Sequence, residues 1–227
     1  MRAALAAIAD PARVEGLRRF FRTGPGEYGE GDVFLGITVP DLRRAIAPFS
    51  ELPLDELDGL LDDAEHEHRL AALLLLVRRY RAEPDAVVER YLAAVRRGRV
   101  NNWDLVDASS EFILGPWLQD QDRALLDELA DSDDVWERRV AVLATFDFIK
   151  RGDAAPTLAI AERLLDDPHD LIRKAVGWML REVGKRVDRD ALIGFLDAHA
   201  AAMPRTMLSY ATEHLTPGER SAYRAMR

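Results

Sequence analysis

Apolar residues recur at spacings of three and four along nearly the whole chain, and no segment of useful length alternates apolar with polar positions. The first spacing places apolar side chains on one face of a helix, whereas alternation is typical of a strand. The pattern therefore predicts an all-α fold. Thr216 and Glu219 have the form of a capping box. Prolines also mark predicted helix starts, where a missing N–H group is tolerated, at Pro40, Pro53, Pro84, Pro156, Pro168, Pro204 and Pro217.

The sequence also repeats itself at a shift of 35 residues. This shift places Glu65, Val100, Val135 and Asp170 in one register, and the apolar columns after them align. A unit of 35 residues has room for two helices and two turns, which is the period of helical-hairpin solenoids. We therefore predict one domain over residues 1–227, a right-handed α-α solenoid of about six helical pairs. Its first-layer helices should begin near residues 66, 101, 135 and 169.

One column of the repeat contains a carboxylate among small and apolar side chains, and its members are Ala72, Asp107, Val142 and Gly177. A buried or half-buried carboxylate costs several kcal/mol unless it has a partner. Asp107 therefore either caps a turn, pairs with Arg139, or has a functional role. On one continuous helix, positions 103, 104, 107 and 111 share a face, so Trp103 should lie beside Asp107.

Two further columns collect cations on the same predicted face. They contain Arg138 and Arg173 in one register, and Arg139 and Lys174 in the next. A concave helical surface with these cations suits a DNA phosphate backbone. Arginines of helical solenoids also form ladders of ion pairs with Asp and Glu of adjacent repeats. The sequence pattern leaves both interpretations open.

The two tryptophans of interest occupy different kinds of column. Trp178 falls in a core column, and large aromatic side chains mostly fill cores. The column of Trp103 otherwise contains His and Arg, which indicates solvent or a groove and favours a stacking or sugar-contacting role. Asn101 and Asn102 precede Trp103 and are typical of a helix N-cap.

Composition narrows the possible functions. The chain has 227 residues, 48% of them hydrophobic, and no cysteine, which excludes disulfides and thiolate zinc sites and favours a reducing cytoplasmic environment. The longest apolar run, Leu70 to Val77, is shorter than the roughly 20 residues of a membrane span, and no signal peptide is evident. The net charge of −9 argues against nonspecific nucleic-acid binding. However, residues 136–186 include ten Lys and Arg against eight Asp and Glu.

Metal and cofactor chemistry is thinly represented. His66 and His68 lie two positions apart, so on a helix they face different directions, and we expect no metal site there. The chain also has no Gly-rich phosphate-binding loop of the nucleotide-binding type. We therefore expect no metal and no cofactor.

Three separated segments resemble a known family. They are Glu30–Ile37 (EGDVFLGI), Val100–Asp107 (VNNWDLVD) and Ala175–Glu182 (AVGWMLRE). With these segments in this order, the chain resembles the AlkD-type DNA alkylation repair proteins over nearly its whole length. The resemblance implies a HEAT-like helical solenoid, which agrees with the 35-residue period.

The resemblance also implies a monofunctional DNA glycosylase that removes cationic alkylated purines, such as 3-methyladenine and 7-methylguanine, from double-stranded DNA during base excision repair. The family's catalytic carboxylate falls on Asp107, its sugar-contacting tryptophans on Trp103 and Trp178, and a backbone-contacting arginine on Arg139. Tyr28 lies near a family tyrosine in the upstream loop, where the spacing differs slightly.

Arg138, Arg173 and Lys174 complete the predicted DNA-binding residues. Because the chain is acidic, and because Asp104 and Asp147 lie near the predicted groove, we expect DNA binding that is weak and sensitive to salt. We expect a monomer. The alternative function, from a different class, is a noncatalytic HEAT-like module that binds DNA or protein.

Overall fold

The structure, a computed structural model, describes residues 1–226, and the regular elements of these residues are helices. The fold has 66% helix. The described residues form fifteen α-helices, one 3-10 helix and an isolated bridge between Val33 and Glu65. The all-α prediction is therefore confirmed. None of the helices in residues 1–226 combines the length and the hydropathy that a membrane crossing requires.

The helices group into two compact units, Met1–Ser109 and Ser110–Arg227. The first unit contains a 3-10 helix, Ala47–Phe49, and the helices α1 (Arg2–Ala6), α2 (Pro11–Phe20), α3 (Val39–Ile46), α4 (Leu54–Leu61), α5 (His66–Arg79), α6 (Pro84–Arg96) and α7 (Trp103–Asp107). The second unit contains α8 (Ser110–Trp117), α9 (Ala124–Ala130), α10 (Val135–Lys150), α11 (Ala155–Arg163), α12 (Asp170–Arg186), α13 (Arg189–His199), α14 (Arg205–Ala211) and α15 (Pro217–Ala225).

Several predicted helix starts are confirmed. The helices α5, α10 and α12 begin at His66, Val135 and Asp170, and α7 begins at Trp103, two residues after the predicted position. Helix α15 has the predicted capping box, in which Thr216 Oγ1 accepts the Glu219 N–H and the Glu219 carboxylate accepts the Thr216 N–H.

One expectation about α7 is wrong. The sequence pattern suggested a continuous helix that carries positions 103, 104, 107 and 111 on one face, but α7 ends at Asp107 and α8 begins at Ser110. The Ser109 hydroxyl lies 2.6 Å from the Leu105 carbonyl oxygen and 3.3 Å from that of Val106. A serine that bonds to nearby carbonyls competes with helix continuation, so Glu111 belongs to a different helix from Asp107.

Helix α5 is the centre of the first unit. Its middle residues, including Leu73, Leu75 and Leu76, are fully buried, and it packs against α3, α4 and α6. Burial of each leucine side chain stabilises the fold by about 1.5–3 kcal/mol. Because α5 is enclosed by these neighbours, residues at its N-terminal end are held in fixed positions.

The irregular segment before α3 is anchored on α5 by Glu67. The buried Glu67 carboxylate accepts the N–H groups of Leu35 and Gly36 at 2.9 Å and of Ile37 at 3.1 Å. Gly36 has a φ of 83°, and a Cβ there would lie 2.0 Å from the Asp10 carbonyl oxygen. Only glycine fits this position, so the segment has one well-defined course.

In the second unit, α10 and α12 make the most extensive contacts. Helix α12 lies so close to α14 that a Cβ on Gly177 would meet the Met207 carbonyl oxygen at 2.5 Å. Gly115 allows a similar approach of α8 to α10, because its Cβ would lie 2.7 Å from the Ala144 carbonyl oxygen. These two glycines therefore permit close packing of helix backbones.

Arginines make a recurring contact at the start of α5, α10 and α12. Arg69, Arg138 and Arg173 each donate to the carbonyl oxygen six residues earlier, at 2.8–3.0 Å. By this contact, Arg69 corresponds to Arg138, whereas the 35-residue register aligns Arg69 with Arg139. The distance along the chain between corresponding positions of α5 and α10 is therefore one residue shorter than two periods of 35. The residues of α5 accordingly move by one position relative to the columns of the sequence repeat.

Candidate functional site

The residues predicted for the site are divided between the two units. Trp103 and Asp107 lie on α7 in the first unit, one helical turn apart, and both are half-buried. Asn102 is the N-cap of α7, and its side-chain oxygen accepts the Trp103 N–H at 2.9 Å. Residues four apart on a helix are neighbours, so α7 carries Trp103 and Asp107 on the same face, at its two ends.

A buried polar network surrounds the start of α7, with Asp32 at its centre. One Asp32 oxygen accepts from the Arg69 guanidinium at 2.5 Å and from the Asn101 amide at 3.1 Å. The other accepts from the Asn102 amide at 3.2 Å and lies 3.1 Å from His66 Nδ1. Asn102 therefore holds Asp32 with its amide nitrogen while it caps α7 with its oxygen.

His66 connects this network to α7 itself. Its Nε2 lies 2.8 Å from an oxygen of Asp104, and its Nδ1 faces Asp32. Burial alone lowers the pKa of His66, but hydrogen bonds and charges from Asp104 and Asp32 outweigh burial and raise that pKa to about 9. His66 is therefore a cation at neutral pH, and both ring nitrogens donate.

Opposing effects also act on the Asp32 carboxylate. Burial raises the pKa of Asp32, but the hydrogen bond from His66 and the charge of Arg69 bring the pKa below its ordinary value. Asp32 is consequently a buried anion between two cations. Removing either cation would leave an uncompensated buried charge, so the members of the network depend on one another.

Aromatic rings cover the same region. Phe34 stacks on the His66 ring with centroids 4.8 Å apart, and Phe21 stacks on Phe34 at 5.2 Å. Trp103 lies against Phe21 at 5.4 Å and against the edge of Phe20 at 5.7 Å. Such ring pairs contribute beyond simple burial. The aromatic layer therefore contacts the Trp103 side chain, and the Asn102 cap binds the Trp103 backbone N–H.

Trp178 and Arg139 lie in the second unit. Trp178 is half-buried on α12 and contacts the edge of Phe146, with centroids 5.9 Å apart, so it is not a fully buried core residue. Arg139 is only 5% exposed, and its Nη1 donates to the Leu171 carbonyl oxygen at 2.8 Å.

The other predicted DNA-binding cations also have protein partners. Arg138 pairs with Asp167 at 2.7 Å, and Arg173 donates to the Asp167 carbonyl oxygen at 2.8 Å. Lys174 pairs with Asp170 at 2.7 Å but is 40% exposed. Among these three contacts, the Arg138–Asp167 pair joins residues about one repeat apart and matches the ladder interpretation, whereas the other two are local. Each guanidinium has five N–H donors, and these bonds use only some of them.

Ion pairs between residues about one repeat apart occur in both units. Their sequence separations lie between 28 and 37 residues, and they include Arg69–Asp32, Arg79–Glu51, Arg90–Asp55, Arg97–Asp62, Arg123–Asp153, Arg138–Asp167, Arg163–Asp131, Arg181–Glu213 and Arg189–Glu219. The predicted arginine ladder is therefore a real feature of the fold. It accounts for part of the positive charge that the sequence pattern had also suggested for DNA.

The acidic residues expected to oppose DNA binding are themselves engaged. Asp104 accepts from the His66 cation, and Asp147 accepts from Gln119 at 2.9 Å and from Arg151 at 2.7 Å. The charges of Asp104 and Asp147 are partly balanced within the protein. The net charge of the chain therefore overstates the repulsion between these two carboxylates and DNA phosphates.

Sequence reasoning missed the roles of Asp32 and His66. A signal was available, because the polar residues His66, Glu67, His68 and Arg69 interrupt the apolar core pattern at the start of α5, and all four are buried. Tyr28, predicted from the resemblance, is half-buried in the irregular chain segment that connects α2 to α3.

One group among residues 1–226 has donor atoms close enough to surround a cation. The nearest ligand atoms of Asp63, Glu65 and His68 all lie within 4.8 Å of one another. However, Arg2 Nε donates to Asp63 Oδ2 at 2.7 Å, so the Asp63 carboxylate is already paired with the Arg2 guanidinium. His66 and His68 do face different partners, as their spacing predicted.

Comparisons with known proteins agree on one relationship. A family model described as DNA alkylation repair enzyme matches residues 1–215. A solved structure, described as a predicted DNA alkylation repair enzyme from Enterococcus faecalis, is similar in fold, with a TM-score of 0.74 and 17% sequence identity. That similarity covers 92% of this chain and 97% of the other. No match was found among curated proteins.

Proposed function

Because the chain belongs to the family of DNA alkylation repair enzymes and has a role in DNA alkylation repair, we propose that it is a monofunctional DNA glycosylase. Its proposed substrates are cationic alkylated purines in duplex DNA, of the 3-methyladenine and 7-methylguanine type, and its product enters base excision repair. The observation that carries the proposal is the half-buried pair Trp103 and Asp107 on a five-residue helix fixed by the Asp32–His66–Asp104 network.

The proposed chemistry needs one carboxylate and no general acid for the base. An alkylated purine already carries a positive charge, so the bond between its nitrogen and C1′ breaks with both electrons moving to the ring. The sugar becomes an oxocarbenium ion. Water attacks its C1′ atom, and the added water gives up one proton to the solvent. We assign Asp107 to stabilise this cation electrostatically and to orient the water.

The tryptophans and cations take supporting roles in this proposal. Trp103 and Trp178 flank the deoxyribose, and Arg139, Arg138, Arg173 and Lys174 contact backbone phosphates, with Tyr28 as a further DNA contact. The Lys174 side chain is 40% exposed and is therefore accessible to a phosphate. The arginines would contribute donors that their protein partners leave unused. The protein acts as a monomer in the cytoplasm, with a HEAT-like solenoid arrangement of its helical pairs and no cofactor or metal.

The experiment is release of 7-methylguanine from a defined duplex at low salt by wild type and Asp107→Asn. Wild type should release the base, and the folded variant should release none above background, because an amide cannot balance the sugar cation. Asp153→Asn, a change in an exposed ion pair of the second unit, is the matched control and should keep full activity. A duplex with uracil in the same position should remain intact with every variant, since a neutral base leaves poorly without protonation.

Circular dichroism and thermal unfolding establish that each variant is folded. Equal release by Asp107→Asn and wild type would remove Asp107 from the mechanism. No release of 7-methylguanine or 3-methyladenine by the folded wild type would favour the noncatalytic binding module instead.

A further inference from the structure

Helix α2 is the most open helix beside Trp103. None of its ten residues is fully buried, and Phe20 at its C-terminal end is 62% exposed. The Phe20 ring contacts Phe21 at 5.0 Å and the edge of Trp103 at 5.7 Å. An exposed phenylalanine of this size is unfavourable in water. Here it extends the aromatic layer of Trp103 to the surface.

The same segment is basic, although the chain as a whole is acidic. Residues 11–23 contain four arginines and one glutamate. Two of these arginines have nearby acidic partners, since Arg13 pairs with Asp10 and Arg19 lies 3.6 Å from Glu15. The guanidinium groups of Arg18 and Arg22 are exposed and have no hydrogen bond or ion pair within residues 1–226.

The loop after α2 does not supply the missing acidic partners. Glu27 accepts the Gly24 N–H at 2.8 Å, and Glu30 accepts the Gly26 N–H at 2.8 Å. Both carboxylates therefore bond to the loop backbone. The C-terminal end of α2 and the residues after it thus carry two free cations and the exposed Phe20 ring, which contacts Trp103, whereas the predicted DNA-binding cations of the second unit have protein partners.

Arg22 also occupies a backbone conformation that normally favours glycine. Its φ is 50°, and it is the only non-glycine residue of the described chain with positive φ. The Thr23 N–H bonds to the Arg18 carbonyl oxygen at 3.1 Å, which is the Schellman pattern that closes a helix with glycine in this place. Strained residues of this kind cluster at functional sites. An arginine at a position that favours glycine therefore indicates a role for its side chain.

We infer that Arg18, Phe20 and Arg22, at the C-terminal end of α2, contact double-stranded DNA, and we name these three residues the α2 surface. The two guanidinium groups contact backbone phosphates of double-stranded DNA, and the Phe20 ring packs against an adjacent deoxyribose. The inference rests on the proposed function, because that function identifies double-stranded DNA as the ligand. It does not require the glycosylase activity. It adds a DNA contact in the first unit, whereas the predicted cationic columns belong to the second unit.

The test is binding of wild type and variants to an unmodified fluorescein-labelled duplex, measured by anisotropy between 50 and 200 mM salt. Arg18→Ala and Arg22→Gly should each weaken binding and reduce the slope of log K against log salt by about 1. Phe20→Ala should weaken binding about fivefold with an unchanged slope, because the ring carries no charge. Arg22→Gly relieves the backbone strain, so weaker binding by this variant cannot follow from a damaged fold.

Arg81→Ala is the matched control. Arg81 is an exposed arginine of the same unit without a partner in residues 1–226, and it follows the C-terminal end of α5. The aromatic layer lies at the N-terminal end of α5, about 20 Å away along the helix. Arg81→Ala should therefore keep the wild-type slope.

Two results would overturn the inference. One is equal slopes and affinities for Arg18→Ala, Arg22→Gly, Arg81→Ala and wild type, and the other is no binding of duplex DNA by wild type at 50 mM salt. The glycosylase proposal is tested separately, because this assay contains no lesion. A protein that binds undamaged duplex through the α2 surface but releases no alkylated purine would contradict only the proposed activity.

Discussion

Two groups of charged side chains, one in each unit, have different surroundings. In the first unit, Asp32, His66 and Arg69 are buried together, and Asp104 connects them to α7. In the second unit, a pair such as Arg163–Asp131 lies at the surface, with side chains 39% and 61% exposed. Buried charges depend strongly on their partners, whereas exposed pairs contribute little to stability. The comparison indicates that the first network fixes a geometry and that the exposed ladder mainly balances charge.

The largest effect should follow removal of the central anion. Asp32→Ala leaves His66 and Arg69 buried without their carboxylate, so the free energy of unfolding should fall by about 3–5 kcal/mol. Urea unfolding of the purified protein measures this loss. Asp32→Asn, which keeps the shape but not the charge, is the control and should lie between wild type and Asp32→Ala. A loss below 1 kcal/mol for Asp32→Ala would contradict the view that the network is a mutually dependent unit.

The network should also make stability depend on pH. The pKa of His66 is raised from 6.5 to about 9, so the protonated ring favours the folded state. Its contribution, at most about 3 kcal/mol, should be complete below pH 6.5 and should disappear as pH rises through 9. Urea unfolding at pH 6, 7.5 and 9 should show this decline, and His66→Gln should flatten it. A wild-type profile parallel to that of His66→Gln would show that His66 does not titrate in this range.

Removal of Arg138, which forms a partly buried ion pair of the ladder with Asp167, should have an intermediate effect on the free energy of unfolding. Arg138 is 13% exposed, and its partner Asp167 is more deeply buried. Arg138→Ala leaves Asp167 with the His169 N–H, at 2.7 Å, but without the paired cation. We expect a loss of about 1–3 kcal/mol in urea unfolding, which reflects a buried acceptor that has lost a charged partner. A loss as large as that of Asp32→Ala would remove the distinction between the two regions.

The smallest effect should come from an exposed ladder pair. Arg163→Ala removes the pair with Asp131 and should change the free energy of unfolding by less than about 1 kcal/mol. Thermal unfolding at low and at 0.5 M salt provides the measurement, because screening should make any difference smaller still. A loss above 2 kcal/mol would mean that the exposed ladder also stabilises the fold substantially.

Local sequence signals predicted the helices well. The 35-residue register located the starts of α5, α10 and α12, and Thr216 with Glu219 predicted the cap of α15. A helix start and its cap depend on residues close together in the chain, and the register repeats this local pattern every 35 residues. The end of α7 at Asp107 was not predicted, because the Ser109 hydroxyl could have pointed to solvent as easily as to the Leu105 carbonyl.

Long-range contacts explain what the sequence did not reveal. His66 meets Asp32 and Asp104, which lie 34 and 38 residues away in opposite directions along the chain. No periodic pattern distinguishes these carboxylates from the acids of the ladder. The α2 surface was missed for a related reason: its arginines differ from those of the ladder only in lacking acidic partners, and partners are a property of the fold. The roles of Asp107 and Trp178 remain predictions.

The anchoring of Leu35, Gly36 and Ile37 on Glu67 has a consequence for amide hydrogen exchange. These three amides belong to a segment without helix or strand, and such segments usually exchange rapidly. Here their hydrogen bonds end on a carboxylate of the central helix, so exchange requires α5 to separate from the segment. The three amides should therefore be protected nearly as long as the middle of α5, and they should open together with it as one cooperative element.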